Sequence, residues 1–397
     1  MSDITAVILS IGEEITTRAI ESVRRQTLAP EDIIVIRNVS PMYRALNLGA
    51  SKVKTEFFVQ VDSDMILDEN CLEDLRGCMS PNVGMVLGSL RDPLMGRIGW
   101  IKLFRTKCFE KVQYRDLVSA DLVFTEEMSN HGWMMVYAIR AFDEVPNEIW
   151  HTFGEHRPDY TPHYTYSKHL VEGRRYRYRK APGALAWHLK KLANSYHPAA
   201  LIAQIALAHG IFIRESGDLL KPYVYDQKFD HLQRFLETSG SPELSPLSSA
   251  SSMDKDISDY RRLLPWFCFN AKKIFKDTYQ AGTKFRKANA FAAFKRCLAF
   301  LNDSRDPFAW IGKVGLCHGL FFDAYENESF AKDYKLLKEL ITEDVLRSLI
   351  KAKLKHFPLA LKRRIVSTYS WGLARRAIKR SYSSAKPSFP STPRSSA

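Results

Sequence analysis

Apolar and polar residues alternate along the first hundred positions in two different rhythms. Runs rich in β-branched residues predict strands at residues 4–10, 32–37, 55–62 and 83–90. The segments between them place apolar side chains at helical spacing or open with acidic residues, and they predict helices at residues 13–27, 42–53 and 68–79. Strands that alternate with helices predict an α/β fold, with a mostly parallel sheet and helices on both faces.

The pattern changes after about residue 97, and a mostly helical region follows. Residues 119–139 predict a helix that closes near Gly132 and then a strand, and the apolar stretch 197–213 is too short to span a membrane and predicts a buried helix. No internal repeat is evident. The predicted organisation is a sheet domain at 1–190, a helical extension at 191–236, a Ser/Pro-rich linker at 237–258, a basic helical module at 259–380 and a disordered tail at 381–397.

Charge is unevenly distributed along the 397 residues, which carry a net charge of +14. Residues 351–380 contain ten Lys or Arg and no Asp or Glu, with apolar residues among them and Pro358 dividing the segment. Such helices lie in a membrane interface, so we expect peripheral contact with an anionic membrane, which binding to anionic vesicles would test. The alternative is a helical hairpin with a solvated basic face.

Cysteine usage and the amino terminus bear on the compartment. The six cysteines are scattered without a C-x-x-C pair, so neither a zinc cluster nor a disulfide framework is indicated. The first ten residues carry an acid where a signal peptide carries basic residues. We therefore expect a cytoplasmic protein, with peripheral contact on the inner face of the cytoplasmic membrane.

The third predicted strand ends in two aspartates, Asp62 and Asp64, one residue apart. On an extended segment such side chains point the same way, and ligands bind beyond the carboxyl ends of parallel strands. The two carboxylates repel each other unless a cation lies beside them, and Mg²⁺ with a phosphorylated ligand suits this arrangement. The alternative is that one aspartate caps the next helix while the other pairs with a nearby Lys or Arg.

The surroundings of the aspartates carry a resemblance to a known family. The segments AVILSIGEEITTRAIESVRRQT, IIVIRNVS and YRALNLGASKVKTEFFVQVDSD, in this order and spacing, resemble the first half of a family 2 glycosyltransferase with a GT-A fold, which is Rossmann-like. The resemblance implies that Asp62 and Asp64 bind Mg²⁺ or Mn²⁺, which holds the diphosphate of a nucleotide-sugar. It implies nucleotide-binding roles for Ser10, Gly12, Glu13, Asn38, Asn47 and Asp62.

One departure from the family pattern concerns the nucleotide base. Family members often carry acidic residues after the second strand, whereas this chain has Arg37-Asn38-Val39-Ser40. The choice among UDP, GDP, dTDP and CDP donors therefore stays open.

The resemblance continues more weakly to about residue 180. Asp121 lies eleven residues before Gly132 and matches the second acid of the family's usual Glu-Asp pair, which implies the catalytic base. The alternative is a helix N-cap. A histidine after the following strand often completes the metal site in this family, which implies His156, or else His151.

These residues together predict a metal-dependent inverting glycosyltransferase, hexosyltransferase-like, of the kind used in polysaccharide biosynthesis. The acceptor would be a hydroxyl of a glycan or lipid-linked glycan. The aromatic and basic segment 95–105 supplies acceptor-binding candidates, namely Trp100, Lys102 and Arg105, although Trp100 can equally be core.

Two other functions compete with glycosyl transfer. One is a catalytically inactive GT-A-like binding protein that uses its basic carboxyl-terminal segment on a membrane or another polyanion. The other is nucleotidyl transfer, but such enzymes usually carry a Gly-rich phosphate loop, and LSIGEEIT contains one glycine. No DNA or RNA recognition motif is present, which argues against nucleic acid as a partner.

Overall fold

The computed structural model describes residues 2–117, 119–138, 152–213, 229–230, 232–234, 270–322, 324 and 326–354. The chain divides into two compact units, 1–342 and 343–397. Of the second unit the structure describes one helix, whose last turn carries Lys351 and Lys353. His151, the predicted linker, the predicted tail and most of the basic segment 346–380 lie outside the described residues, so the predicted domain boundaries stay predictions.

The first unit is built on an eight-stranded sheet. Its strands are β1 (Ile4–Ser10), β2 (Asp32–Arg37), β3 (Phe57–Asp62), β4 (Met65–Leu67), β5 (Val83–Asp92), β6 (Gly96–Arg105), β7 (Met134–Tyr137) and β8 (Gly154–His156). The order is β2-β1-β3-β6-β5-β8-β4, with β7 also paired to β5. β6 runs antiparallel to β3 and β5, and β4 runs antiparallel to β8, while the remaining pairs are parallel. The predicted mostly parallel sheet is confirmed.

Helices cover both faces of this sheet. They are α1 (Thr16–Arg24), α2 (Met42–Lys52), α3 (Cys71–Gly77), a short 3-10 helix (Thr106–Glu110) and α4 (Ala120–Asn130). One core joins alternate β1 residues such as Ile8 to Val23 of α1 and Leu72 of α3. The other joins Val7 to helices α2 and α4. Because β1 is buried on both faces, its sequence is a continuous apolar run.

A helical region follows the sheet, as predicted. Its helices are α5 (Pro162–Tyr178), α6 (Pro182–Ala193), α7 (Ala200–Gly210), α8 (Ala271–Lys287), α9 (Phe291–Asp303), α10 (Ala309–Gly319) and α11 (Asn327–Leu340). The apolar stretch noted above forms α7, which is buried at every position. In the described part of the chain, no helix combines the length and the apolar character needed to cross a membrane. The second unit contributes α12 (Glu343–Leu354).

Helices α8 to α10 repeat helices α5 to α7. The spacing is 109 residues, the separation of His209 from His318, and it relates the first residues of all three helix pairs. Backbone details recur at the same spacing: Lys180 and Asn289 both adopt left-handed conformations, with φ of 51° and 52°. The expectation that the chain contains no internal repeat is therefore wrong.

The two copies share amino-terminal capping as well. The side chain of Thr161 accepts a hydrogen bond from the backbone N–H of Tyr164 before α5. The side chain of Asn270 does the same for Lys273 before α8. Thr and Asn both cap helices well, so the same local structure arises from different residues.

Glycines allow the first and third helices of each copy to touch. A Cβ at Gly173 of α5 would lie well under 3.0 Å from the carbonyl oxygen of Leu207 on α7. At the equivalent position, a Cβ at Gly282 would meet the carbonyl oxygen of Leu316 on α10 in the same way. The close approach requires glycine at both positions, which explains why these residues are identical in the two copies.

The copies meet at a pair of histidines. The Nδ1 atoms of His209 and His318 lie 2.9 Å apart. Each imidazole also stacks on a phenylalanine of the other copy, His209 on Phe321 and His318 on Phe212, with ring centroids 3.7 Å apart in both cases. These reciprocal contacts relate the copies by an approximate twofold axis.

The glycine contacts generate a prediction on stability. Gly173→Ala should lower the free energy of unfolding by about 1–3 kcal/mol, because the added methyl group must push the backbone of α7 away. Gly183→Ala is the matched control, since nothing lies within 4 Å of a Cβ there, and it should be neutral or stabilising by up to about 1 kcal/mol. Chemical denaturation measures both variants, and equal stabilities would contradict the close approach.

Candidate active site at the carboxyl edge of the sheet

Two carboxylates close together form the centre of the site. Asp62 ends β3 and accepts a hydrogen bond from Gln60 Nε2 at 3.0 Å, and Asp64 lies in the turn to β4. Neither caps a helix, because α3 begins much later, after Asn70. Burial and the neighbouring Asp64 carboxylate raise the pKa of Asp62. A cation beside the pair would relieve this repulsion.

His156 joins Asp64 to a third carboxylate. Its Nε2 lies 3.2 Å from Asp64 Oδ2, and its Nδ1 lies 2.6 Å from Asp92 Oδ2. Burial acts to lower the pKa of His156, but hydrogen bonds to the two carboxylates outweigh it and raise that pKa. Burial likewise acts to raise the pKa of Asp64, and the hydrogen bond and charge of His156 reverse this and lower it. The imidazole thus holds both carboxylates ionised.

Asp92 is a site residue that the sequence did not reveal. It ends β5, its side chain is 0% exposed, and it also accepts hydrogen bonds from the Tyr160 hydroxyl at 2.5 Å and from the backbone N–H groups of Leu94 and Met95. A carboxylate on the far nitrogen of a histidine orients the ring and sets its tautomer. The available signal was an acid two residues beyond the end of a predicted strand, which is also the position of Asp64.

Lys102 lies between Asp62 and Asp121. It faces Gln60 across the β3–β6 pair, and its Nζ lies 2.7 Å from Asp121 Oδ1. Burial acts to lower the pKa of Lys102, but Asp121 and Asp62 outweigh it and raise that pKa. The sequence predicted that Lys102 binds the acceptor. In the structure Lys102 is a mostly buried cation, with its side chain 12% exposed.

Asp121 lies in the first turn of α4 but does not cap that helix. The N-cap position is Ser119, and the Asp121 carboxylate turns to Lys102 and the Tyr114 hydroxyl instead. Partial burial acts to raise the pKa of Asp121, whereas the charge of Lys102 outweighs it and lowers that pKa. The carboxylate is thus ionised at neutral pH, although its affinity for a proton is reduced.

Four of the predicted nucleotide-binding residues meet in the loops after β1 and β2. The Glu13 carboxylate accepts hydrogen bonds from the Ser10 hydroxyl at 2.9 Å and from the Ile11 N–H at 2.8 Å. Gly12 has a φ of 102°, and a Cβ there would lie 3.7 Å from Asn38 Oδ1. Because β1 pairs with both β2 and β3, these loops lie beside Asp62 at the carboxyl edge.

Asn47 makes two hydrogen bonds within the protein. Its Nδ2 donates to the backbone carbonyl of Tyr114 at 2.8 Å, and its Oδ1 accepts from the backbone N–H of the same residue at 3.0 Å. The amide thereby ties α2 to the segment before α4. Its predicted contact with the nucleotide stays a prediction.

Arg105 is far from the site, which corrects its assignment to the acceptor. It pairs with Phe57 at the beginning of β3, and at roughly 3.3 Å per residue this is about 17 Å along the strand from Asp62. Its guanidinium donates to the carbonyl oxygens of Val83 and Ser80 and pairs with Glu56. These contacts give Arg105 a structural role.

Trp100 belongs to the site surface and not to the core. Trp100 is 42% exposed, and its ring packs edge-on against Tyr137 with centroids 5.1 Å apart. On β6 Trp100 lies two residues before Lys102, so both side chains share one face of the sheet. The acceptor-binding prediction for Trp100 remains open.

A divalent metal suits the chemistry of this edge. Among the described residues no group of three or more His, Cys, Asp or Glu forms a site that could hold a metal ion. The donors that are present are nevertheless of the right kind: the carboxylates of Asp62 and Asp64, and His156 Nε2 beside Asp64, with Asp92 behind the ring. Hard oxygen ligands with an oriented imidazole fit Mg²⁺ or Mn²⁺.

Several solved structures resemble the chain distantly. They include residues 1–349 of S. aureus TarS (13% identity, 76% of this chain and 89% of that chain, TM-score 0.30). A mannosyltransferase from Pyrobaculum calidifontis in complex with GDP-Man and Mn²⁺ has 12% identity over 76% of this chain and 86% of that chain, with a TM-score of 0.32. A Leptospira borgpetersenii cytidylyltransferase has 9% identity over 43% of this chain and 87% of that chain, with a TM-score of 0.28.

Similarity at this level does not assign a function or a residue role to the chain. No protein-family model matches the sequence, and no curated protein matches it either. The functional argument therefore rests on the geometry of the site.

The buried Asp92 carboxylate generates a prediction on the site. Asp92→Asn should lower the pKa of His156, because the ring loses a negative partner, and should reduce the free energy of unfolding by about 1–3 kcal/mol. Asp159→Asn, an exposed change between His156 and Tyr160, is the control and should alter neither quantity. NMR titration of the His156 ring and thermal unfolding measure both effects. An unchanged His156 pKa would show that Asp92 does not act on the ring.

Proposed function

We propose that the protein is a metal-dependent inverting glycosyltransferase, which moves a sugar from a nucleotide-sugar to an acceptor hydroxyl. One observation carries the proposal: the loops after β1 and β2, the Asp62–Asp64 pair and Asp121 all meet at one edge of the sheet, with Lys102 between the acids. An anionic donor and a nucleophilic acceptor can both be served there.

The donor side is formed by the first three strands. The loops that contain Gly12 and Asn38 approach each other closely and offer backbone and amide groups to a nucleotide. Asp62, Asp64 and His156 would hold Mg²⁺ or Mn²⁺, which when bound offsets charge on the departing nucleoside diphosphate. The protein residues position the donor so that the anomeric carbon faces Asp121.

The acceptor side is formed by β6 and α4. Asp121 is ionised beside Lys102 and accepts the proton of the acceptor hydroxyl as the oxygen attacks the anomeric carbon. A single base on the acceptor side implies direct displacement, hence inversion. The exposed rings of Trp100 and Tyr137 offer flat apolar surfaces on which a sugar can stack.

The identity of the acceptor is proposed from the sequence alone. A lipid-linked or surface glycan would suit a protein whose segment 346–380 contacts an anionic membrane. Nucleotidyl transfer has less support, since the loop after β1 holds a single glycine, Gly12.

Asp62 and Asp64 generate a prediction on metal dependence. Asp62→Asn and Asp64→Asn should abolish Mn²⁺-dependent hydrolysis of the donor and weaken nucleotide binding, because both variants remove a metal-binding charge. UDP-GlcNAc and GDP-mannose, ligands named for the similar structures, are the first substrates to assay. Asp159→Asn is the control, and circular dichroism verifies the fold. Hydrolysis that persists in EDTA, or full activity in both variants, would refute the metal assignment.

The proposed base, Asp121, generates a prediction on the rate of transfer. Asp121→Asn should retain metal-dependent nucleotide binding and lose transfer by about 10²- to 10⁴-fold, the usual effect of removing a general base. Asp116→Asn, an exposed aspartate before α4, should transfer at the wild-type rate. Kinetics with a fixed donor and a panel of glycan acceptors would measure both. Unimpaired transfer by the Asp121 variant would assign the carboxylate to holding Lys102 in place.

A further inference from the structure

A lysine of the helical region faces the candidate active site. Lys168 lies on α5, half-buried, with its Nζ 5.6 Å from the centre of the Tyr160 ring and 5.5 Å from that of Tyr164. The hydroxyl of Tyr160 donates to Asp92, which bonds to His156. Lys168 is therefore one residue layer from the carboxylate cluster.

The ammonium group of Lys168 has attractive neighbours but no ion pair among the described residues. Burial lowers the pKa of Lys168, although Asp64, Asp92, Glu172 and Asp62 act against burial and favour the charged form. A half-buried cation that faces several carboxylates without pairing to any of them has hydrogen-bond donors to spare. Such a group can receive an anionic ligand that enters beside Asp64.

The internal repeat allows residues of α5 to be compared with their counterparts on α8. Gly173 and His209 have identical counterparts, Gly282 and His318, 109 residues further on, because both copies use the same close contacts. Position 168 behaves differently. Its counterpart on α8 is Asp277, a residue of opposite charge.

Helix α8 shows the same position in the second copy of the repeat. There Lys273, the counterpart of Tyr164, pairs with Asp277 at 2.7 Å, and the Lys273 side chain is 56% exposed. The Asp277 side chain is 20% exposed, so the same helical fold accepts a partly buried acid at this position. The fold of the repeat therefore does not require a cation at position 168.

We propose that Lys168 binds the diphosphate of the nucleotide donor, so that the first copy of the helical repeat is part of the active site. This inference rests on the proposed function. As the acceptor oxygen bonds to the anomeric carbon, the bond from that carbon to the β-phosphate oxygen breaks and its electron pair stays on the phosphate. The acceptor proton goes to Asp121. The Lys168 ammonium donates hydrogen bonds to the phosphate oxygens that gain charge.

The test compares nucleotides that differ by one phosphate. Full-length wild type, Lys168→Met, Lys168→Arg and Lys284→Met are titrated calorimetrically with UDP, GDP, CDP and dTDP and with the four monophosphates, in Mn²⁺ and in EDTA. Lys284 is an exposed lysine on α8, at the counterpart position of Arg175, so Lys284→Met makes the same chemical change away from the site.

Lys168→Met should weaken binding of the preferred diphosphate by about 10- to 100-fold, the effect of losing a charged hydrogen bond, and leave the matching monophosphate within about twofold of wild type. Lys168→Arg should restore most of the affinity, and Lys284→Met should bind as wild type. Equal losses for diphosphate and monophosphate, or no loss for either, would overturn the role of Lys168. Failure of the wild type to bind any of the four diphosphates would instead overturn the proposed function.

Discussion

Negative charge concentrated at one edge of the sheet is the constraint on which the rest of this structure depends. Asp62 and Asp92 reach this region from the ends of β3 and β5, Asp64 from the turn before β4, and Asp121 from α4. Carboxylates in such proximity are unstable together unless cations and donors surround them. Asp64, Asp92 and Asp121 have their partners on other strands, while Asp62 accepts a hydrogen bond from the nearby Gln60.

These partners also divide the site into two halves. His156 and Tyr160 serve Asp64 and Asp92 on one side, while Lys102 serves Asp121 on the other. The pairing of Lys102 with Asp121 keeps a base ionised at the cost of some basicity, and the cluster around Asp62 retains an excess of negative charge. That excess is what a divalent cation and a neighbouring lysine would balance, which is why the same edge suits an anionic nucleotide.

The helical region supports this edge and is built by duplication. Its two copies meet through reciprocal stacking of His209 and His318 on phenylalanines, and the first copy presents α5 to the carboxylates. Gly173 and Gly282 allow each helix pair to pack backbone to backbone, which gives the region a rigid base. The two copies differ at the position of Lys168, where the second copy has Asp277.

The sequence by itself determined β1, β2, β3, β5 and the three helices between them, and the position of Asp62 and Asp64 at a strand end, because both follow from local periodicity. It did not predict the short strand β4. It did not reveal β6, whose antiparallel insertion between β3 and β5 depends on pairing with distant strands. It also missed the repeat, because the copies share capping and left-handed residues more than residue types. Asp92 meets His156 across 64 residues, and Lys102 meets Asp121 across 19. Such contacts are decided by the tertiary structure, since no spacing along the chain encodes which strand ends will lie side by side.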